Sequence, residues 1–311
     1  ACLFFLVGTA SSSAQFPDAR DKPPANWTGP VFRLSQDYPQ KRPRNEEPWK
    51  AFKFKTQPQE YLERVLQYVY EGNVEVDWDG QKNAVRKWYH TPWLHVGPNG
   101  REFVRGLTLE RSSRPRELHP NQTSTFRNWA VGLYNPRGGY TIGKVWMPPN
   151  APKEKEAKFL EGTVAVKLLF TTATVAEVPF LQGAKEWQAD INRDPNNLGT
   201  LRLLQIDIAV RDGRANATTG WVFGTFITTK NSIGFGTLKP GSHLIGARNR
   251  WIILCNCHWA FRIFAEADLL RPVCWKILAL CELAAKRMKT DAEANSGLAR
   301  MIHKFYFYGE R

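Results

Sequence analysis

The hydrophobic pattern of the N-terminal half predicts one amphipathic helix. Five apolar side chains recur there at helical spacing: Tyr61, Leu62, Val65, Leu66 and Val69. Residues spaced in this way lie on one face of a helix, and that face packs against a core. Gly72 follows at the position where helices commonly end in a left-handed conformation. We therefore expect a helix over these residues that ends just before Gly72.

From Trp129 onward the pattern is typical of strands. Runs of β-branched and aromatic residues alternate with segments rich in Gly, Pro and Asn. The predicted strands are Trp129–Tyr134, Tyr140–Trp146, Thr163–Thr171, Leu201–Arg211 and Trp221–Ile227. A short helix is expected at about Ala184–Ile191. The order of these elements predicts an α+β fold: a mostly antiparallel β-sheet with flanking helices and a helical C-terminal tail.

Composition along the chain suggests four segments. Residues 1–14 join an apolar run to small residues, with Ser12 and Ala14 at the −3 and −1 positions of a cleavage site. This pattern predicts the remnant of a signal peptide; a short anchor or a buried strand is the alternative. Residues 15–128 form an extended and helical segment and residues 129–229 the β-rich domain. Residues 230–311 form a cysteine-containing, partly helical tail. The signal peptide predicts a periplasmic or secreted protein.

The charge of the chain is strongly basic, with a formal net charge of +14. Such a charge suits nucleic acid, an anionic membrane surface or an acidic protein partner. The basic residues are scattered, however, apart from Lys41–Arg44 and a looser arginine series from Arg101 to Arg116. Neither run belongs to a recognisable nucleic-acid-binding motif. We therefore expect a solvated basic surface, no nucleic-acid partner and no membrane span.

Two predicted strands separate an apolar face from a more polar one, because side chains alternate between the faces of a strand. In the first strand Val164, Val166, Leu168 and Phe170 share one face, and Thr163, Ala165, Lys167 and Leu169 share the other. In the second strand Ile206, Ile208 and Val210 oppose Asp207, Ala209 and Arg211. The polar faces either line one pocket or meet solvent, and the pattern leaves both open.

Three segments occur in a characteristic order: Lys158–Lys167, Ala209–Asp212 and Gly220–Phe226. Together they resemble the cytochrome P-460 family, periplasmic c-type haem proteins that include hydroxylamine-oxidising enzymes. The resemblance covers about residues 129–229, and its strongest motif is Gly-Thr-Val-x-Val-Lys. In that family a lysine on this strand is cross-linked to the haem, and the matching residue is Lys167. The family's acidic pocket residue, which helps to move protons, falls at Asp207.

The haem-attachment motif departs from the family pattern. The family uses two cysteines and a histidine, usually C-x-x-C-H, which bind the haem vinyl groups and the iron. Here the corresponding residues are Cys255, Cys257 and His258, with only one residue between the cysteines. Attachment through Cys257, with His258 as iron ligand, is one interpretation. A disulfide or a free thiol beside a packed histidine is the other.

The resemblance implies an exported haem-type redox protein that oxidises a small nitrogenous substrate or carries electrons to a partner protein. Its cofactor would be c-type haem, with Lys167 and Asp207 as catalytic residues. The incomplete attachment motif favours an alternative, a haem-free exported binding protein on the same fold. A secreted carbohydrate-binding β domain is a third possibility, because the sequence contains 12 Trp. For His90 and His95 we expect structural or hydrogen-bonding roles, because their spacing is not typical of metal ligands.

Overall fold

The computed structural model describes residues 25–91, 101–147, 151–217 and 219–228. In this part of the chain six strands form one antiparallel sheet accompanied by two α-helices. The strands are β1 (Thr108–Ser113), β2 (Phe126–Tyr134), β3 (Val164–Thr171), β4 (Glu186–Ala189), β5 (Gly199–Arg211) and β6 (Trp221–Ile227). The helices are α1 (Pro58–Tyr70) and α2 (Pro136–Trp146). The prediction of an antiparallel sheet with flanking helices is therefore confirmed for the described residues.

The long strand β5 organises the sheet. The strands run in the order β1-β2-β3-β5, and β3 pairs with one edge of β5. The other edge is shared: β4 pairs with Gly199–Arg202 and β6 with Gln205–Arg211. All of these pairings are antiparallel. The middle of β5 is consequently enclosed by β3 on one side and β6 on the other.

One face of the sheet packs against α1 to form the main core. The apolar residues of β2, β3, β5 and β6 meet the buried face of α1 there. The most deeply buried members include Trp49, Tyr61, Val65, Val69, Val164, Leu168, Phe170, Ile206, Val210 and Phe226. Burial of each large apolar side chain contributes about 1.5–3 kcal/mol to folding. Helix α1 and the sheet therefore belong to one hydrophobic core.

The predicted amphipathic helix is confirmed, as are four of the predicted strands. Helix α1 ends at Tyr70, and Gly72 has a φ of 77°, in the left-handed region. The apolar spacing predicted the helix, because its buried residues are those that recur along one face.

The predicted strand Tyr140–Trp146 is wrong, because these residues belong to α2. Asn135 caps this helix: its side chain accepts a hydrogen bond from the backbone N–H of Gly138 at 3.1 Å. Glycines bring the helix close to aromatic side chains of the rest of the fold. A Cβ atom on Gly139 would lie 2.6 Å from the Tyr89 ring, and one on Gly143 would lie 2.7 Å from Tyr38. The β-branched and aromatic residues concealed this helix in the sequence.

The predicted helix Ala184–Ile191 is also wrong, because β4 occupies its centre. Trp187 and Ala189 are buried, whereas Glu186 and Gln188 are exposed, which is the alternation of a strand. The Trp187 ring stacks on Phe170, with 4.3 Å between the ring centroids. The packing of Trp187 on Phe170 therefore favours a strand at these residues.

Some predictions fall on parts of the chain that lie outside the described residues. The signal-peptide remnant of residues 1–14 and the tail of residues 230–311 belong to this group. Among the residues that are described, no helix is both long enough and apolar enough to cross a membrane.

Asn135→Ala tests the junction between the sheet and α2. The Asn135 side chain is buried, and its Nδ2 donates to the Gly162 carbonyl at 2.9 Å and to the Tyr68 hydroxyl at 3.2 Å. Loss of the cap and of these bonds should lower the free energy of unfolding by about 1–3 kcal/mol. Urea denaturation followed by tryptophan fluorescence measures the change. The control Gln59→Ala, on the exposed side of α1, should change it by less than about 0.5 kcal/mol; equal losses would contradict the prediction.

Candidate functional site

Lys167 and Asp207 lie side by side on the face of the sheet opposite α1. They are direct partners in the pairing of β3 with β5. Side chains at directly paired positions have Cβ atoms about 4.5–5.5 Å apart. The polar faces of β3 and β5 are therefore adjacent on one face of the sheet. We call the polar residues on this face the polar strip: Glu110, Lys167, Gln205, Asp207 and Thr225.

Lys167 is paired with a carboxylate from the far side of β2. Its Nζ atom lies 3.4 Å from Oε2 of Glu110 on β1. Directly opposite Lys167, β2 has Gly132, which has no side chain to obstruct the lysine. The Lys167 and Glu110 side chains are only 10% and 11% exposed. The ion pair is therefore largely withdrawn from water, where the screening of charges is weak.

Asp207 is held by neutral hydrogen-bond donors. The Thr225 hydroxyl, on the neighbouring strand β6, donates to Oδ1 of Asp207 at 2.7 Å. The Gln205 amide, two residues earlier on β5, lies 3.0 Å from each carboxylate oxygen. Neutral donors orient a carboxylate without neutralising its charge. Asp207 is consequently a fixed acceptor beside Lys167.

Burial shapes the electrostatics of Glu110. Removal from water raises the pKa of its carboxyl group above the usual value. The positive charge and hydrogen bond of Lys167 act in the opposite direction, whereas the negative charge of Asp207 raises the pKa further. Arg111 also favours the charged carboxylate, but more weakly. The strip therefore holds two carboxylates close to one amine.

Small side chains border the two central residues. Ala165 precedes Lys167 on the same face of β3, Ala209 follows Asp207 on β5, and both are buried. Both alanines pack in an apolar cluster that includes Tyr134, Ile142 and Trp221, so this part of the face is covered by other side chains.

Apolar clusters flank the polar strip at both ends. Near α2, Phe159 stacks on Tyr134 and meets the edge of Trp221, with ring centroids 6.0 and 5.5 Å away. The cluster at the other end contains Leu118, Phe126, Ala173, Val178, Leu181, Ala184 and Leu204. A few convergent polar groups between apolar walls are typical of small-molecule sites.

The predicted haem-attachment residues lie outside the described residues, so the structure places none of Cys255, Cys257 and His258. Within the described part of the chain, no group of three or more His, Cys, Asp or Glu side chains is placed to hold a metal ion. The strip brings together Lys167 and Asp207 as the catalytic candidates. It adds three residues that sequence reasoning missed: Glu110, Gln205 and Thr225.

Glu110 was missed because β1 was not predicted. Its sequence, Thr-Leu-Glu-Arg-Ser-Ser, contains one large apolar residue and two charged ones. Leu109 packs against the main core, whereas Glu110 points to the other face. This alternation was the available signal, but turn-forming residues on both sides obscured it.

His90 has a structural role, as its spacing from His95 suggested. Its Nδ1 atom accepts a hydrogen bond from the backbone N–H of Ser35 at 3.1 Å, and its carbonyl accepts one from the Tyr38 hydroxyl. Burial, with a smaller contribution from Arg101, lowers the pKa of His90 to about 3. The ring is therefore neutral in the folded protein near neutral pH. His95 lies outside the described residues.

No protein-family model matches this chain, and no curated protein matches it in sequence. The interpretation of the site therefore depends on its own geometry and on the motif resemblance.

The buried His90 predicts a loss of stability in acid. Its pKa is lower in the folded chain than the usual 6.5, so below that pH the unfolded chain binds the proton more tightly. Stability should be complete above about pH 6.5 and fall toward pH 3, by up to about 1.4 kcal/mol per pH unit from this residue. Urea denaturation between pH 7 and pH 4 measures how steeply the free energy of unfolding changes with pH. His90→Asn, which offers an acceptor to Ser35, should make this pH dependence shallower; an unchanged slope would exclude His90 as the cause.

Proposed function

We propose that this chain is an exported haem-type redox protein similar to cytochrome P-460, which oxidises a small nitrogenous substrate or carries electrons. The observation that carries the proposal is the direct pairing of Lys167 with Asp207 on one face of the sheet. These are the positions that match the family's haem-linked lysine and acidic pocket residue. Their adjacency is what the resemblance requires, although the two residues belong to different motifs.

Small residues and aromatic residues border the Lys167–Asp207 pair. Gly132, Ala165 and Ala209 present little side-chain volume around Lys167 and Asp207. The aromatic side chains of Phe159 and Trp221 supply an apolar boundary. In this proposal Lys167 would bond to the haem, Cys257, with Cys255 nearby in the sequence, would attach it, and His258 would bind its iron. A bound haem would supply one-electron redox chemistry, and the protein supplies orientation and electrostatics.

Asp207 is suited to hold and move a proton. A nitrogenous substrate loses protons as it is oxidised, and a carboxylate within hydrogen-bond reach can accept them. Thr225 and Gln205 fix the orientation of the Asp207 carboxylate. The Lys167 amine lies on the same face of the sheet and can donate a hydrogen bond there. The buried surroundings of Lys167 limit competition from water.

The second candidate function is a haem-free exported binding protein on the same fold. Two observations favour it: the cysteine spacing is one residue short, and Glu110 already pairs with the amine of Lys167. In this case the polar strip binds a small molecule directly. The carbohydrate-binding alternative has less support, because six of the eight tryptophans within the described residues are buried. Buried rings are unavailable to stack on sugars.

Covalent haem separates the two candidates. The full chain, exported in a host that contains a c-type haem maturation system, should yield a band that stains for haem after denaturing electrophoresis. A pyridine haemochrome spectrum should correspond to about one haem per chain with one thioether bond. Cys257→Ala should abolish attachment, and the matched control Cys255→Ala should retain it. Absence of covalent haem, with both thiols reduced before maturation, would overturn the redox proposal.

The cross-link predicts a separate spectroscopic effect. Lys167→Arg keeps a positive charge beside Glu110 but cannot form the same bond to the cofactor. We expect the variant to retain covalent haem and to lose the red-shifted absorption of a cross-linked haem. Lys144→Arg is the matched control, because Lys144 pairs with Glu156 on the exposed side of α2. An identical spectrum for Lys167→Arg and the wild type would exclude the cross-link.

A further inference from the structure

Glu110 reaches the polar strip from a strand that makes no direct pairing with β3. Strand β2 lies between β1 and β3, and Glu110 is paired there with Asn128. Lys167 spans this intervening strand where Gly132 leaves space. The contact of 3.4 Å therefore depends on the length of the lysine side chain and on its direction along the face.

The other charged groups around Glu110 do not duplicate this contact. Arg111, the next residue on β1, forms an ion pair with Glu117 and is about half exposed. Asp207 faces the strip from β5 and repels the Glu110 charge. Lys167 is the leading favourable charge acting on Glu110. Loss of the Lys167 charge would therefore leave the Glu110 carboxylate less stabilised.

We infer that Glu110 is a positioning residue, which holds the Lys167 amine on the strip through a buried ion pair and restrains its reactivity. The inference rests on the proposed function in one respect, the role of Lys167 as the residue that bonds to the cofactor. An ammonium nitrogen has no lone pair, so Lys–NH₃⁺ must first release a proton to become Lys–NH₂. Until then Lys167 is a hydrogen-bond donor, and the ligand group facing it is an acceptor or an anion.

Competitive acetylation tests this inference on the full chain without haem. Trace acetic anhydride reacts with free amines, and peptide mass spectrometry reports the labelling of each lysine separately. Glu110→Gln removes the charge but retains the shape, so the buried Lys167 amine loses one of its carboxylate partners. Labelling of Lys167 at neutral pH should rise on the order of tenfold, because the amine is no longer held against β1. Glu110→Asp, which retains the charge, should give a smaller rise.

The exposed pair Lys144–Glu156 provides the matched control. Both side chains are nearly half exposed, so their interaction is screened by water. Glu156→Gln should change the labelling of Lys144 by less than about threefold. Unchanged labelling of Lys167 in a folded Glu110→Gln protein would overturn the inference. Equal changes in the labelling of Lys167 and Lys144 would also overturn the inference.

A second measurement covers the case in which Glu110→Gln fails to fold. The Glu110 carboxyl of the wild-type chain can be titrated by carbon-13 NMR with labelled glutamate. Lys167→Met removes the cation that favours the charged carboxylate, so the midpoint of Glu110 should move to higher pH. An unchanged midpoint would contradict the pairing. Neither measurement uses haem, so failure of the redox proposal and failure of this inference are distinguishable.

Discussion

The register between β3 and β5 is the constraint on which the site depends. Neighbouring side chains of a strand point to opposite faces, so a shift of one residue would exchange the polar strip for the core. The apolar residues Val166 and Leu168, on either side of Lys167, are buried against α1 and prevent that shift. The irregularity in the pairing falls between Leu169 and Phe170, beyond the polar pair. Core packing therefore sets the chemistry on the opposite face.

The fold was predictable from the sequence where the spacing of apolar residues matches the spacing of the buried positions. The spacing from Tyr61 to Val69 gave α1, and the alternation along β3 and β5 assigned both faces. The buried residues of α2 also recur at helical spacing, but its β-branched and aromatic residues favoured a strand prediction. The close contacts of its glycines with Tyr38 and Tyr89 gave no signal in the sequence. Such contacts depend on partners far away in the chain, which local preferences do not describe.

The candidate site was predictable in part. Lys167 and Asp207 followed from alternation together with the motif resemblance, since each lies on a strand with a strong apolar face. Glu110 required knowledge of β1 and of a contact across two strands, and neither leaves a local signal in the sequence. Thr225 was within a correctly predicted strand, but its role depends on which residue of β5 it faces. The sequence therefore did not show which residues of neighbouring strands face each other, even where it predicted the strands themselves.

The position of β1 has a consequence for how the site behaves in time. Within the described sheet β1 is an edge strand, and its pairing with β2 becomes irregular between Glu110 and Ser113. Outer strands open locally at lower free energy than central ones, because fewer hydrogen bonds and contacts must be broken. Fraying of β1 would withdraw Glu110 while β3 and β5 stayed paired. Glu110 therefore lies on a strand of lower local stability than the strands that carry Lys167 and Asp207.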